Sequence, residues 1–329
     1  MKKWRKYAIN RQIVQKTSGF LDLHPYTISS NLRGKKGVFY GWGRKKSGLK
    51  AVVLAKKHQT SFVLLEDGFI RSIGLGVEGS PSFSIVEDDI GIYYDATAPS
   101  KLEHILNTYD FVSDTKLMED AANAMALMRK HNISKYNNAP LVDESFLSRY
   151  GMRDRSEKRI LIIAQTAGDA SLEYGMARQF STTDMIESAL EENPDAELYL
   201  KVHPDVLSGK KGSDIDIAYA KKHCILIEEN INPISLLKYF SKVYTKTSGM
   251  GFEALIVGCE CVCFGVPYYA GWGVTTDKIT CPRRTRLRSV EEIFAATYIL
   301  YSRYYNPYKQ RDSDIFDTIE EIVAQRDRL

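Results

Sequence analysis

A chain of 329 residues, 44% hydrophobic and 26% charged, is too long for one ordinary domain and has the make-up of folded soluble proteins, which excludes disordered and fibrous classes. Its net charge of +4 is too mild to point to nucleic acid, and the RRM, zinc-finger and homeodomain patterns are absent. The longest apolar runs, such as Val52 to Ala55 and Cys259 to Val266, fall far short of the ~20 residues that cross a bilayer.

The chain starts MKKWRKYAIN, basic but without a following apolar segment, so the protein is expected to stay in the cytoplasm. From Gly37 a strand (GVFYGWG), a helix over Leu49 to His58, a strand (SFVLLED) and helices near Ser100 to Tyr109 and over Thr115 to Lys130 form an α/β pattern. Residues 134–158, SKYNNAPLVDESFLSRYGMRDRSEK, are polar and weakly periodic and read as a linker. RILIIAQ restarts the pattern as a strand buried on both faces. Helix Thr183 to Glu192, strands ELYLKVHP and CILIEE, helix Ile234 to Phe240, strand KVYTKTS, helix Phe252 to Val257 and strand CVCFG then complete a doubly wound, Rossmann-like series. Two helical segments, Val290 to Tyr305 and Ile315 to Arg328, close the chain with no strand between them, capping the lobes or crossing back between them. The expected fold is α/β. Two Rossmann-like lobes are expected, over residues 1–150 and 151–329, both with parallel sheets.

Cys259, Cys261 and Cys263 alternate along an apparent strand, so they share one face and resemble small buried hydrophobes more than disulfide partners or metal ligands. Two basic clusters, Lys2, Lys3, Arg5 and Lys6 beside Trp4 and Tyr7, and Arg283, Arg284, Arg286 and Arg288, have two readings. They attract an anionic leaflet or phosphorylated acceptor at about 1 kcal/mol per cation, or they form solvated basic faces. The acidic run Glu87-Asp88-Asp89 precedes Ile90-Gly91 as a turn does and is not read as a metal site.

Ligands of an open parallel sheet bind beyond the carboxyl ends of its strands. Three such ends in the second half carry chemistry: TAGDAS after RILIIAQ, VHPDVLSGKKG after ELYLK, and TSGMGFEAL after KVYTK. The turn Thr247-Ser248-Gly249 opens a helix and offers free N–H groups to a phosphate. It lacks the spacing of a P-loop, and the GxGxxG fingerprint is missing too. Glu253 either accepts from ribose hydroxyls or favours the helix dipole. His203, between Lys201 and Pro204, is placed to supply a proton or positive charge to a leaving phosphate. Asp169 serves as nucleophile or base, or caps the next helix. Tyr268, Tyr269 and Trp272 pack a base or sugar, or anchor their loop in the core. In the first half, Arg44, Lys45 and Arg71 are candidates to hold carboxylates or phosphates, Glu66 and Asp67 to orient an acceptor hydroxyl, and Trp42 to line the same acceptor or sugar site; the alternative is a pair of turns with solvated charge.

At these residues the chain resembles the bacterial capsule polysaccharide synthesis family of KpsC/LipA type, the retaining β-Kdo transferases. The likeness runs in order through FYGWGRKKSG, LLEDGFIRSIGLG, IVEDDIGIYYDATAPSKLE, QTAGDAS, KVHPDVLSGKKG, TSGMGFEALIVG, CFGVPYYAGWGVTTD and CPRRTRLRSVEEIFAATYILYSRYYNP. It implies a GT-B-like pair of lobes, the one over residues 1–150 binding acceptor and the one over residues 151–329 binding a CMP-β-Kdo donor, and retention of configuration. It implies that His203-Pro204 is the CMP motif, that Ser248, Gly249 and Glu253 complete the nucleotide site, and that Asp169 is the nucleophile. Lys201, Lys246 and His203 would offset the single phosphate of CMP without a metal or other cofactor. The implied partners are a lipid-linked Kdo or glycan acceptor and the inner face of the cytoplasmic membrane. Familiar members carry two catalytic modules, whereas each motif occurs once here, which implies one linkage formed. Two rival readings keep the same residues: transfer of another CMP-activated sugar acid, or a non-catalytic glycan-binding subunit of an export complex.

Overall fold

The computed structural model describes residues 5–27, 37–152, 158–202, 206 and 212–328. In chain order the first lobe contains β1 (Arg5–Ala8), α1 (Arg11–Lys16), β2 (His24–Pro25), β3 (Gly37–Trp42), α2 (Lys46–His58), β4 (Ser61–Asp67) and β5 (Ser84–Asp88). Helices α3 (Lys101–Thr108), α4 (Thr115–His131) and α5 (Glu144–Tyr150) lead to the second lobe. That lobe runs β6 (Arg159–Ile163), α6 (Ala170–Tyr174), α7 (Thr182–Glu192), β7 (Glu197–Lys201), α8 (Ile217–His223) and β8 (Ile225–Ile227). It continues through α9 (Pro233–Leu237), β9 (Lys242–Thr245), α10 (Met250–Ile256), β10 (Glu260–Cys263) and β11 (Thr276–Asp277). The closing segment is α11 (Val290–Phe294), a π-helical turn over Ala295–Leu300, β12 (Ser302–Asn306), β13 (Arg311–Ser313) and α12 (Ile315–Arg326).

The second lobe is a six-stranded sheet in the order β11-β10-β9-β6-β7-β8, parallel at every pairing. Strand β6 shows why RILIIAQ is apolar throughout. Ile160 and Ile162 pack with Met185, Ile186 and Leu198 on one face, while Leu161 and Ile163 face Val243, Phe252 and the rest of the core on the other. The period of two also puts Cys259, Cys261 and Cys263 on that second face, all buried, as their alternation predicts. The first lobe has the order β13-β12-β5-β4-β3-β1-β2, parallel from β2 to β4 and antiparallel beyond.

Three parts of the sequence reading need correction. The segment Val290 to Tyr305 is not helical to its end, and strands do intervene before the last helix. Its final residues form β12, antiparallel to β5 with Tyr304 opposite Ser84. An open edge of β5 with unpaired N–H and C=O groups outweighs the helical period of the segment. The helix is stopped where Ser302 Oγ donates to the Thr297 carbonyl, and Tyr301 Oη reaches Asp88 Oδ2 at 2.8 Å. The chain thus crosses back to complete the first sheet.

Secondly, residues 134–152 of the expected linker are docked rather than loose. Ser134 and Asn137 are buried, and α5 inserts Phe146 and Leu147. Periodicity is weak there because side-chain-to-backbone hydrogen bonds, not an apolar stripe, hold it: Val142 N donates to Ser235 Oγ and Asn137 Nδ2 to the Ser72 carbonyl. Thirdly, three of the four clustered arginines do not form a free basic face, and only Arg286 stays exposed. Arg283 Nε lies 2.8 Å from Glu103 Oε1, Arg284 donates to the Pro267 and Ala270 carbonyls over the Trp272 ring, and Arg288 donates to the Leu106 and Tyr109 carbonyls. These guanidinium groups fasten α3 to the loop after β11. The N-terminal cluster before Arg5 lies outside the described residues.

Asp88 behaves as the turn reading requires. Its carboxylate accepts from the backbone of Ile90, Gly91 and Lys101, so it closes the turn after β5 and starts α3.

Candidate active site

The carboxyl ends of β6 and β9 and those of β3 and β4 face one another across a cavity of about 520 Å³. Its walls include Lys45, Glu66, Tyr93, Lys135, Asp169 and the turn Thr247-Ser248-Gly249. A neighbouring recess of about 420 Å³ shares Gln165, Gly168 and Asp169 with it and adds Arg44, Asp214 and Lys246. Asp169 therefore borders both spaces.

The loop after β6 is shaped by Gly168, whose φ of +83° is open to glycine and strained for other residues. Asp169 follows as the N-cap of α6, with its Oδ1 accepting from Ser171 N at 2.9 Å. The capping role and an accessible carboxylate coexist, because the side chain remains exposed and lines the cavity. Gln165 ties this loop to the next strand end: its Oε1 accepts from Thr247 N at 2.8 Å and its Nε2 lies 3.1 Å from Thr247 Oγ1. Ser171 Oγ and Thr247 Oγ1 are 2.9 Å apart, which adds a hydroxyl to the same network.

The turn after β9 is buttressed from below. Tyr269 Oη donates to the Ser248 carbonyl at 2.6 Å, and Ser248 Oγ accepts from Met250 N. A Cβ on Gly251 would collide with Tyr269 Oη, so glycine permits the close approach. Tyr269 and Trp272 are buried in the core, and Trp272 Nε1 donates to the Tyr268 carbonyl; of the three aromatic residues Tyr268 alone borders the cavity.

The other site residues named from sequence divide. Lys246 borders the smaller recess and is ion-paired with Asp214. Arg44 borders it too, held by Asp95 at 2.5 Å and stacked over Tyr174. Lys45 and Glu66 line the main cavity. Trp42, Asp67 and Arg71 instead line a separate groove of about 270 Å³ on the first lobe. Arg71 is spent there on Ser72 Oγ, the Ser80 carbonyl and Asp67, holding the 72–82 loop. Trp42 does reach the main site through its Nε1, 2.7 Å from Glu66 Oε1. Lys201 turns away: its amine donates to the Glu229 carbonyl at 2.8 Å, and burial pushes its pKa down to about 8. His203 and Pro204 lie outside the described residues.

Glu253 is buried, and its Oε1 accepts from Ser134 Oγ at 2.5 Å and from Lys135 N at 3.3 Å. Burial raises its pKa to about 7 against the pull of these bonds and of Lys135. Its oxygen is used on the inter-lobe segment, so it reaches the cavity through Lys135. Burial also raises Glu66, reinforced by Asp67 and opposed by Lys135. Burial alone would lower the Lys135 ammonium, but Tyr93, Tyr136 and the carboxylates of Asp67 and Glu66 hold it above its ordinary value. The sequence reading missed Lys135, Tyr93, Gln165 and Ser171. The last two stand inside the QTAGDAS motif that flagged Asp169, whereas Lys135 lies in a segment with no motif or period.

Two Rossmann-like lobes closing on a shared cavity place the molecule in the GT-B-like class. The chain belongs to the family described as capsule polysaccharide biosynthesis protein, whose model matches residues 38–304. It is 43% identical over 309 residues to the capsule polysaccharide modification protein LipA of Neisseria meningitidis serogroup A, a match covering 92% of this chain and 43% of that protein. It is 38% identical over 240 residues to the lipopolysaccharide-processing protein LpsZ of Rhizobium meliloti, covering 73% and 53%. The chain spans about half the length of these relatives. Among solved structures it is similar to Thermosulfurimonas dismutans KpsC, beta Kdo 2,4 transferase, with TM-score 0.87 and 39% identity over 98% of this chain and 99% of that one. The beta Kdo 2,7 transferase of the same KpsC gives TM-score 0.72 and 28% identity, covering 98% and 100%.

Proposed function

We propose that this chain is a retaining β-Kdo glycosyltransferase that moves Kdo from CMP-β-Kdo to a lipid-linked Kdo or glycan acceptor in capsule or surface polysaccharide synthesis. The observation that carries the reading is the full-length likeness to a Kdo transferase module. The position of Asp169, with an exposed carboxylate on the border of both recesses, supports it.

In this reading the Asp169 carboxylate attacks the anomeric carbon of Kdo. The bond from that carbon to the CMP oxygen breaks, and its electron pair leaves on the phosphate. The acceptor hydroxyl then attacks the same carbon from the opposite face, releases Asp169, and passes its proton to Glu66, whose raised pKa makes it the stronger base. Two inversions give net retention. The phosphate is assigned to the Thr247–Gly249 turn, together with His203 and Pro204; Lys246, adjacent to that turn, offsets its charge only when the phosphate displaces the Asp214 carboxylate from it. No metal or other cofactor is invoked. Lys201, with its amine spent on a carbonyl, is left out of this charge compensation. No helix among the described residues is long and apolar enough to cross a membrane; the reading places the protein peripherally on the inner face of the cytoplasmic membrane.

Intact-mass spectrometry after incubation with CMP-Kdo and no acceptor tests the mechanism. The expected result is a gain of one Kdo residue on the peptide containing Asp169, abolished by Asp169→Asn. An adduct on another residue, or an Asp169→Asn variant that transfers at the wild-type rate, removes Asp169 as nucleophile. Turnover of CMP-sialic acid and not of CMP-Kdo overturns the donor.

A further inference from the structure

Lys135 is gripped by both lobes through its backbone. On one side Glu253 Oε1, from α10, accepts from Lys135 N and from the neighbouring Ser134 Oγ. On the other, the Lys135 carbonyl accepts from Arg71 N at 2.9 Å and Ser72 N at 3.3 Å, in the loop that follows β4. Asn137 locks the turn, accepting from Ser134 N and donating to the Ser72 carbonyl.

This bracing presents a side chain that is half-buried and lines the main cavity beside Glu66, Tyr93 and Asp169. Its ammonium makes no hydrogen bond and no ion pair with any described residue, in contrast to the paired Lys246 and Arg44. The nearby Glu66 and Asp67 carboxylates and the Tyr136 ring, 5.9 Å away, keep it charged without taking its donors, so three N–H groups stay free for an anion that enters the cavity. A chain that spends six hydrogen bonds around the residue on fixing such a group is built for an anion that comes with the ligand.

We infer that Lys135 binds the carboxylate of the sugar-acid donor and so fixes its anomeric carbon against Asp169. The inference rests on the transferase reading above. Kdo carries its carboxylate on the carbon next to the anomeric centre, so whatever holds that carboxylate must border the same space as the nucleophile, as Lys135 does. The nucleotide phosphate is the other anion of the donor, and its assigned place is the Thr247–Gly249 turn. Lys45 borders the cavity as well but is exposed, where water competes for the anion.

The test uses the full chain with Lys135→Met and Lys135→Arg, measuring donor turnover with CMP-Kdo and the Kd of CMP alone by calorimetry. CMP lacks the carboxylate and retains the phosphate. Lys135→Met is expected to lower kcat/KM for CMP-Kdo roughly 10- to 100-fold, the range for losing a charge-assisted hydrogen bond. Lys135→Arg restores part of it, and CMP affinity changes by less than about twofold in both variants, which also reports that the nucleotide site is folded. A drop in CMP affinity that matches the drop in kcat/KM assigns the ammonium to the phosphate and overturns the inference. Wild-type turnover with an equally active Lys135→Met variant also overturns it while sparing the transferase reading. A wild-type chain inert toward CMP-Kdo sinks that reading and this inference together.

Discussion

Replacing Glu253 by glutamine removes a buried titration while keeping an acceptor oxygen for Ser134 Oγ and Lys135 N. In the folded chain this carboxyl holds its proton to about pH 7, against an ordinary 4.5. Between these values the native state binds more protons than the unfolded chain, so stability falls as pH rises. The contribution is fully present below pH 4.5 and is lost as the pH passes through 7. The gap corresponds to about 3 kcal/mol. Urea unfolding at pH 5.0, 6.0, 7.0 and 8.0 reads it directly. The wild type should lose about 2–3 kcal/mol relative to Glu253→Gln between pH 5.0 and pH 8.0, with the loss complete by pH 8. A difference between the two proteins that stays flat with pH would show that the carboxylate is ionised throughout, and the account of its burial would be wrong.

Arg284→Ala leaves Glu103 buried with Arg283 as its remaining ion-pair partner and strips the Pro267 and Ala270 carbonyls of their donor. A loss of about 2–4 kcal/mol in urea unfolding is expected, and a loss below about 0.5 kcal/mol would return the cluster to the status of a solvated face. Gly168→Ala meets no atom within 4 Å but must hold a φ of +83°. It should cost about 1 kcal/mol of stability and lower transfer more than its stability loss explains, by moving Asp169; unchanged turnover argues against the loop's role. Tyr301→Phe removes the phenol that reaches Asp88 across the β5–β12 pairing. It should cost about 1–3 kcal/mol, and thermal stability equal to wild type would mean this bond adds nothing to holding the returning strand.

Much of the second lobe is legible from local physics. A strand buried on both faces must be apolar throughout, so RILIIAQ and CVCFG announce themselves, KVYTKTS follows from its place in the strand–helix alternation, and ligands gather where such strands end. That is how Asp169 and the Thr247–Gly249 turn emerge from sequence and meet at one cavity. Other features depend on partners far along the chain. Whether Ser302–Asn306 extends a helix or adds to a sheet depends on the open edge of β5, more than 200 positions earlier. Arg283, Arg284 and Arg288 look like a surface patch until α3 supplies Glu103 and backbone carbonyls to receive them. Glu253 stands where a ribose contact is expected, and only the docking of residues 134–137 shows what its oxygen accepts. Lys135 has no signal at all in sequence, because its position is set by hydrogen bonds to two separate lobes rather than by any periodicity of its own. Short-range pattern thus determines which segments become strands and which turns carry chemistry, whereas the pairing of charges and of free edges is decided in three dimensions, since each such group takes its value from a partner that the chain brings in from elsewhere.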